Sequence, residues 1–263
     1  MTAPHLSERR SGDLVWLAAE GLGWRLGFGT RLGGVSAGPF ASLDISLAVG
    51  DDASAVLENR RRFLAAQGLA LDDLVVPGQV HGVVVRAVGN EERGRGARSR
   101  QTVVDHTDAL LTQTPGLPLM VSFADCVPVF LAAELEGGGA ALALAHAGWR
   151  GMLAGVVTEA AVALRRIGRL TAAVVGPSIG PCCFAVGDDV GNALEARFPG
   201  VWRNGHVDLW ACATQELASA GLSPQAITSP RLCTSCDHRF YSHRRDHGLT
   251  GRQAAVAWLT EEA

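Results

Sequence analysis

Three side chains carry most of the chemistry this chain could perform. They are His81 in Gln79-Val80-His81-Gly82, Cys126 in Ala124-Asp125-Cys126-Val127-Pro128-Val129, and His146 in His146-Ala147-Gly148-Trp149-Arg150-Gly151. Two neutral imidazoles and a thiolate suit one divalent zinc ion, with water in the fourth tetrahedral position. Such an open site is catalytic rather than structural, because the ion brings the pKa of its water toward about 7. The same residues allow a second chemistry, in which Cys126 attacks as a thiolate and His146 is its base. Asp125 or Asp108 would then orient the imidazole. A third reading takes them as unrelated buried residues. Spacing does not choose among these, since the three lie far apart along the chain. The place of His81 does: zinc needs it beside Cys126, and a nucleophile pair does not use it.

Trp149-Arg150-Gly151 opens a helix just after His146, and a helix start favours an anion through its free N–H groups. Arg150 there suits a phosphate through its bidentate fork, or else caps a neighbouring carbonyl. Cys233-x-x-Cys236 has the spacing of half a zinc knuckle. A knuckle needs a second pair, and the adjacent Cys182 and Cys183 are expected to give poor geometry for one, so this group is read as non-functional.

These residues need a rigid frame, and the composition provides for one. The chain has 263 residues, 48% of them hydrophobic and 19% charged, enough for one large domain with a real core. All 23 basic residues are arginine, which excludes Schiff-base chemistry and a P-loop lysine. The net charge of −3 gives no footprint for nucleic acid or an anionic membrane. No apolar stretch is long enough to span a bilayer, and the N-terminus lacks a signal-peptide layout. The six cysteines then read as reduced thiols of a cytoplasmic protein.

Apolar runs at residues 119–132 and 140–151 read as buried strands lying side by side in one sheet. Further strands are expected at residues 14–18, 24–29, 74–88, 105–112, 171–175, 226–232 and 254–259. Helices are expected at 53–68, with Asp52 as N-cap, and at 152–167, 188–197 and 207–220. The run Asn59-Arg60-Arg61-Arg62 reads as a solvated face, and residues 89–102 as a mobile surface loop. The pattern implies a single α/β (α+β) domain over residues 1–263, with the first twelve residues flexible.

The four motifs around His81, Asp108, Cys126 and His146 resemble the YfiH-type laccase-domain family. The likeness continues through residues 30–36, 50–60, 176–184, Tyr241-Ser242-His243-Arg244-Arg245-Asp246 and Thr250-Gly251-Arg252, nearly the whole chain. The resemblance implies a sandwich-like mixed sheet core flanked by helices, and one zinc held by His81, Cys126 and His146. It also implies phosphorolysis of purine nucleosides (adenosine, inosine, methylthioadenosine) and deamination of adenosine. A further implication is editing of the peptidoglycan precursor by removal of a wrongly incorporated L-serine. In the deaminase reaction Asp125 would carry the proton; in the phosphorolytic one Arg150 would hold phosphate. Two departures bear on substrate contacts: Asp44 stands where asparagine is usual, and His243 where tyrosine is often found. An older family label, multicopper polyphenol oxidase, fits poorly. Its copper clusters need many paired histidines, and this chain has eight histidines and no His-x-His pair. The best function is therefore a zinc enzyme acting on purine nucleosides. An amide hydrolase of a cell-wall precursor is the runner-up, and a metal-carrying interaction module the non-enzymatic alternative.

Overall fold

Residues in the two central apolar runs are hydrophobic at nearly every position because both faces of the strands they form are covered. The computed structural model describes residues 3–261. Its strands are β1 (Ser7–Ser11), β2 (Leu14–Gly21), β3 (Trp24–Gly29), β4 (Val85–Ala87), β5 (Ala109–Thr112), β6 (Leu119–Phe123), β7 (Val127–Leu135), β8 (Ala140–Ala147), β9 (Gly168–Val175), β10 (Trp202–Arg203), β11 (His206–Val207), β12 (Ile227–Thr228) and β13 (Gln253–Leu259). The α-helices are α1 (Ala53–Ala65), α2 (Trp149–Ala154), α3 (Val156–Arg165), α4 (Asp188–Arg197) and α5 (Leu209–Ser219). One antiparallel sheet runs β1-β2-β3-β13-β6 and a mixed sheet runs β12-β9-β7-β8-β5-β4.

The two sheets face each other, and alternation along the strands sorts their side chains. Phe130 and Ala132 of β7, with Leu142 and Leu144 of β8, meet Leu26, Phe28, Val121 and Ala255 of the first sheet. Trp24 reaches across to Phe130 with ring centroids 4.6 Å apart. The intervening Val129, Leu131, Ala143 and Ala145 point the other way, onto α3 and α5. The outer face of the first sheet packs Trp16, Met120 and Val256 against Phe63 and Leu64 of α1. The α/β class with a sandwich-like sheet core is thus the observed architecture. No helix among the described residues is long and apolar enough to cross a membrane.

Several local expectations change. Residues 119–132 form two strands in different sheets, because the chain leaves β6 and crosses to β7 through residues 124–126; of these two strands β7 is the one that pairs with β8, setting Pro128 opposite His146. Residues 7–11, placed in a flexible N-terminus, form β1, hydrogen-bonded antiparallel to β2. The expected helix at 152–167 breaks at Gly155, whose φ of 100° ends α2, and a Cβ there would come 2.8 Å from Arg197. Asp52 caps α1 as expected, accepting from the Ala55 N–H at 3.0 Å. Asn59 and Arg60, read as solvated, are buried: Arg60 donates to the carbonyls of Ile45, Gly96 and Ala97, each at 2.7 Å. Those last two bonds also tie down residues 89–102, where Ala97 is core and two short 3₁₀ turns replace the expected loop.

Candidate functional site

The crossover between sheets creates the site. Asp125 sits in it at φ 87°, a conformation that costs energy for a non-glycine residue unless its surroundings impose it. They do: its carboxylate accepts from Thr234 Oγ1 (2.6 Å), Ser242 Oγ (3.1 Å) and the Arg244 N–H (2.7 Å). Its own carbonyl accepts from the Ile179 N–H at 3.0 Å. Cys126 follows directly, and β7 begins at the next residue.

His81 comes from residues 74–88, where only Val85–Ala87 is strand. The rest is a turn with Gln79 at φ 35° and His81 at φ 61°. Two long-range partners hold it. The Gln79 side chain donates to the Ser122 carbonyl at 2.7 Å and accepts from the Ser122 N–H at 2.9 Å. The N–H groups of Val80, His81 and Gly82 converge on the buried Asp108 carboxylate at 3.0, 2.9 and 2.7 Å. Asp108 also meets His146 Nδ1 at 3.0 Å. One carboxylate therefore orients both histidines, and Nε2 of His146 is left for Cys126, the carboxylate–histidine arrangement typical of metal ligands. Of the two orienting residues open at the sequence level, Asp108 is the one in contact.

The sulfur of Cys126 lies 3.8 Å from His81 Nε2, and the donor atoms of His81, Cys126 and His146 all fall within 4.8 Å of one another. That closeness meets the condition a metal site sets, since a Cys–His pair would not need His81. Gly148 makes it feasible: a Cβ there would sit 2.6 Å from His81 and 3.0 Å from the Cys126 sulfur. Burial alone would raise the Cys126 thiol, but His146 and His81 more than reverse this and hold it well below the ordinary thiol range. Burial likewise opposes a charge on His146, yet Cys126 and Asp108 push its pKa up. Asp108, despite its burial, is held below the usual carboxylate range by His146 and the Gly82 and Val80 N–H groups. A thiolate facing an imidazolium is the arrangement a metal ion replaces when it displaces the imidazole proton. The donor set fits one such ion.

The three residues lie in a cleft of about 710 Å³, within the range of small-molecule sites. His81 is its exposed edge and His146 its buried one. Arg150 lines the cleft and stacks on Trp149, its guanidinium 4.4 Å from the ring centroid. The half-buried Arg252 joins it. Neither has a carboxylate within ion-pair distance among the described residues. Sequence reasoning singled out Arg150 but gave Arg252 no role; it appears only within a motif, and nothing local marks it as a cleft residue.

Residues 25–260 match the family described as multi-copper polyphenol oxidoreductase laccase. The chain belongs to that family. Laccase-family relatives include purine nucleoside phosphorylase YlmD of Geobacillus stearothermophilus, 37% identical over 250 residues and covering 90% of each chain. A purine nucleoside phosphorylase of Deinococcus radiodurans is 38% identical over 268 residues, covering 98% of this chain and 95% of the other. The crystal structure of the Geobacillus YlmD superposes with a TM-score of 0.89 at 35% identity, over 97% of this chain and 99% of that one. The Bacillus licheniformis protein YfiH gives 0.85 at 30%, over 96% and 99%. The copper of the laccase family's name is neither required nor excluded by the donor set, since two imidazoles and a thiolate suit copper as well as zinc. Among the described residues, only two groups of side chains could hold a metal, the His81 triad and a cluster of four cysteines.

Both departures from the family's usual residues bear on the cleft. His243 lines it, whereas Asp44 lies fully buried behind it. Asp44 Oδ1 accepts from the Arg252 N–H (2.8 Å) and the Ser46 N–H (3.1 Å), and Oδ2 has no partner. Burial pushes its pKa up to about 7 in spite of those bonds. The folded state thus binds this proton more tightly than the unfolded chain does. The stabilisation is complete below the ordinary carboxyl value and is lost as pH rises through about 7. The loss is on the order of 2–4 kcal/mol. Asp44→Asn keeps the acceptor and removes the charge, so its Tm should change less than the wild type's between pH 5 and pH 8. Equal slopes for the two proteins would remove Asp44 as the cause.

Proposed function

We propose that this chain is a zinc-dependent purine nucleoside phosphorylase of the cytoplasm that also deaminates adenosine. The observation that carries this reading is the convergence of two imidazoles and a thiol beside two arginines without carboxylate partners, in a cleft of nucleoside size. The names borne by relatives 37–38% identical agree with its phosphorylase part. Held by His81, Cys126 and His146, zinc would supply Lewis acidity and a fixed positive charge at the cleft floor.

The chain's own residues account for the anion. Phosphorolysis brings phosphate against C1′ of the ribose; an oxygen bonds to that carbon as the bond to the purine nitrogen breaks, and the base leaves with the electron pair. Arg150 and Arg252 hold the phosphate through charge-assisted hydrogen bonds. His106 and His243 line the cleft and can give the departing base its proton. Asp125, expected at the sequence level to move a proton, is assigned a positioning role instead. Its carboxylate already accepts three hydrogen bonds and keeps Cys126 at the crossover. The exposed His81 edge favours deamination as a second activity, because that reaction consumes water.

Adenosine incubated with the purified protein and phosphate should give adenine and ribose 1-phosphate, and without phosphate only a slower formation of inosine. Arg150→Ala should raise the KM for phosphate by about tenfold, the equivalent of ~1.4 kcal/mol of one charged contact. Turnover of the serine-containing cell-wall precursor, with nucleosides left intact, would replace this reading with the amide-hydrolase one.

A further inference from the structure

The four cysteines outside the cleft are scattered in sequence and gathered in space. A parallel bridge between Ser178 and Cys233 brings residues 178–184 beside 233–236. The first segment is a tight turn in which the N–H groups of Cys183 and Phe184 both donate to the Gly180 carbonyl at 2.9 Å. The second closes on itself through the Asp237 N–H and the Cys233 carbonyl, also at 2.9 Å. Cys236 Sγ consequently lies 3.5 Å from Cys182 Sγ and 3.4 Å from Cys183 Sγ, and all four sulfurs fall within 4.8 Å of one another. The adjacency of Cys182 and Cys183, expected to spoil a knuckle, is accommodated by this turn.

We infer that Cys182, Cys183, Cys233 and Cys236 form a second metal site, a structural one that takes zinc. Tetrahedral zinc with bonds of about 2.3 Å to four sulfurs places those sulfurs roughly 3.8 Å apart, the separation approached here. The Cys233 sulfur faces the N–H groups of Gly180 (3.3 Å), Cys236 and Ser235, donors that suit a thiolate and orient it for an ion. Arg244 donates to the Cys183 carbonyl at 3.4 Å and Arg245 to the Thr234 carbonyl at 3.0 Å, placing two cations near the excess negative charge of four thiolates and one divalent ion. Four sulfur ligands leave no open position, which assigns the ion to structure rather than catalysis. Its purpose follows from what it joins. Ile179, one turn from the cysteine pair, and Thr234, between the other two, both hydrogen-bond Asp125, and Asp125 precedes Cys126. The ion would lock the bed on which the cleft's thiol rests.

Elemental analysis of the full chain, purified under reducing conditions, tests this. Two zinc ions per chain are expected, falling to one in Cys236→Ser and to one in His81→Ala, with the larger fall in Tm for the former. Because Cys236→Ser could fail to fold, cobalt(II) alone provides a second measurement. In His81→Ala protein it should still give the intense thiolate-to-cobalt absorption of a four-sulfur site. A weak cobalt spectrum, a wild-type zinc content that vanishes entirely in His81→Ala, or a disulfide among the four cysteines as purified would each overturn the inference. None of these outcomes depends on nucleoside turnover, so the site and the proposed activity stand or fall separately.

Discussion

Cys126→Ser should remove one equivalent of metal per chain and lower kcat/KM for nucleoside phosphorolysis by about three orders of magnitude, or ~4 kcal/mol of transition-state stabilisation. The reasoning is electrostatic. His146 and His81 hold the Cys126 thiol in its ionised form, and a serine hydroxyl in the same place stays neutral. The site would then offer two imidazoles and no anion, too weak a set for a divalent ion at working concentrations. The fold should survive, because Cys126 lies at the crossover rather than in either sheet, and its position is set by the hydrogen bonds of Asp125. Metal content and steady-state kinetics on the folded variant check both parts. Unchanged metal with lost activity would revive Cys126 as a nucleophile, with His146 as base. Unchanged activity would remove the triad from the mechanism altogether.

What the sequence revealed and concealed follows from the range of the interactions concerned. The apolar runs that hold β7 and β8 were legible because burial on both faces writes itself into nearly every position, although the first was read as continuous with β6. The N-cap of α1 was legible because it is a local bond. Residues 74–88 were not: valine-rich composition suggests strand, but the chain turns at Gln79 and His81 to satisfy Ser122 and Asp108, which are remote in sequence. Arg60 was misread for a related reason, since three carbonyls outside its helix make burial tolerable for a guanidinium, and no neighbour announces them. His81, Cys126 and His146 were named from resemblance and from their chemistry, and the fold brings their donor atoms together. The convergence of Cys182, Cys183, Cys233 and Cys236 escaped because it depends on a strand pairing between segments about fifty residues apart.

Asp108→Ala should be the most damaging substitution for the integrity of the site. The carboxylate is fully buried and is the shared acceptor of three backbone N–H groups and His146 Nδ1. Truncation would leave those donors without a partner and free both histidines from their orientation, at a cost of about 3–5 kcal/mol of folding stability. Metal affinity should also fall about 10–100-fold, the usual consequence of removing the group that orients a ligating histidine. Asp108→Asn separates the two effects. It keeps one acceptor oxygen, enough for the Val80 and Gly82 N–H groups, but sets an amide donor against the His81 N–H and His146 Nδ1. Only part of the stability should therefore return, and a neutral amide no longer favours the protonated Nδ1 as the carboxylate does. Its metal affinity should therefore stay low, as read by chelator competition. The pH dependence supplies an independent check. The pKa of Asp108 is lowered in the folded state, so its stabilisation is complete above the ordinary carboxylate range and disappears as pH falls below it. Wild-type protein should lose that increment on acidification, and Asp108→Asn should not. Should the asparagine variant bind metal as tightly as wild type, the orientation of His146 would have to come from β8 alone, and Asp108 would be a partner of the turn and nothing more.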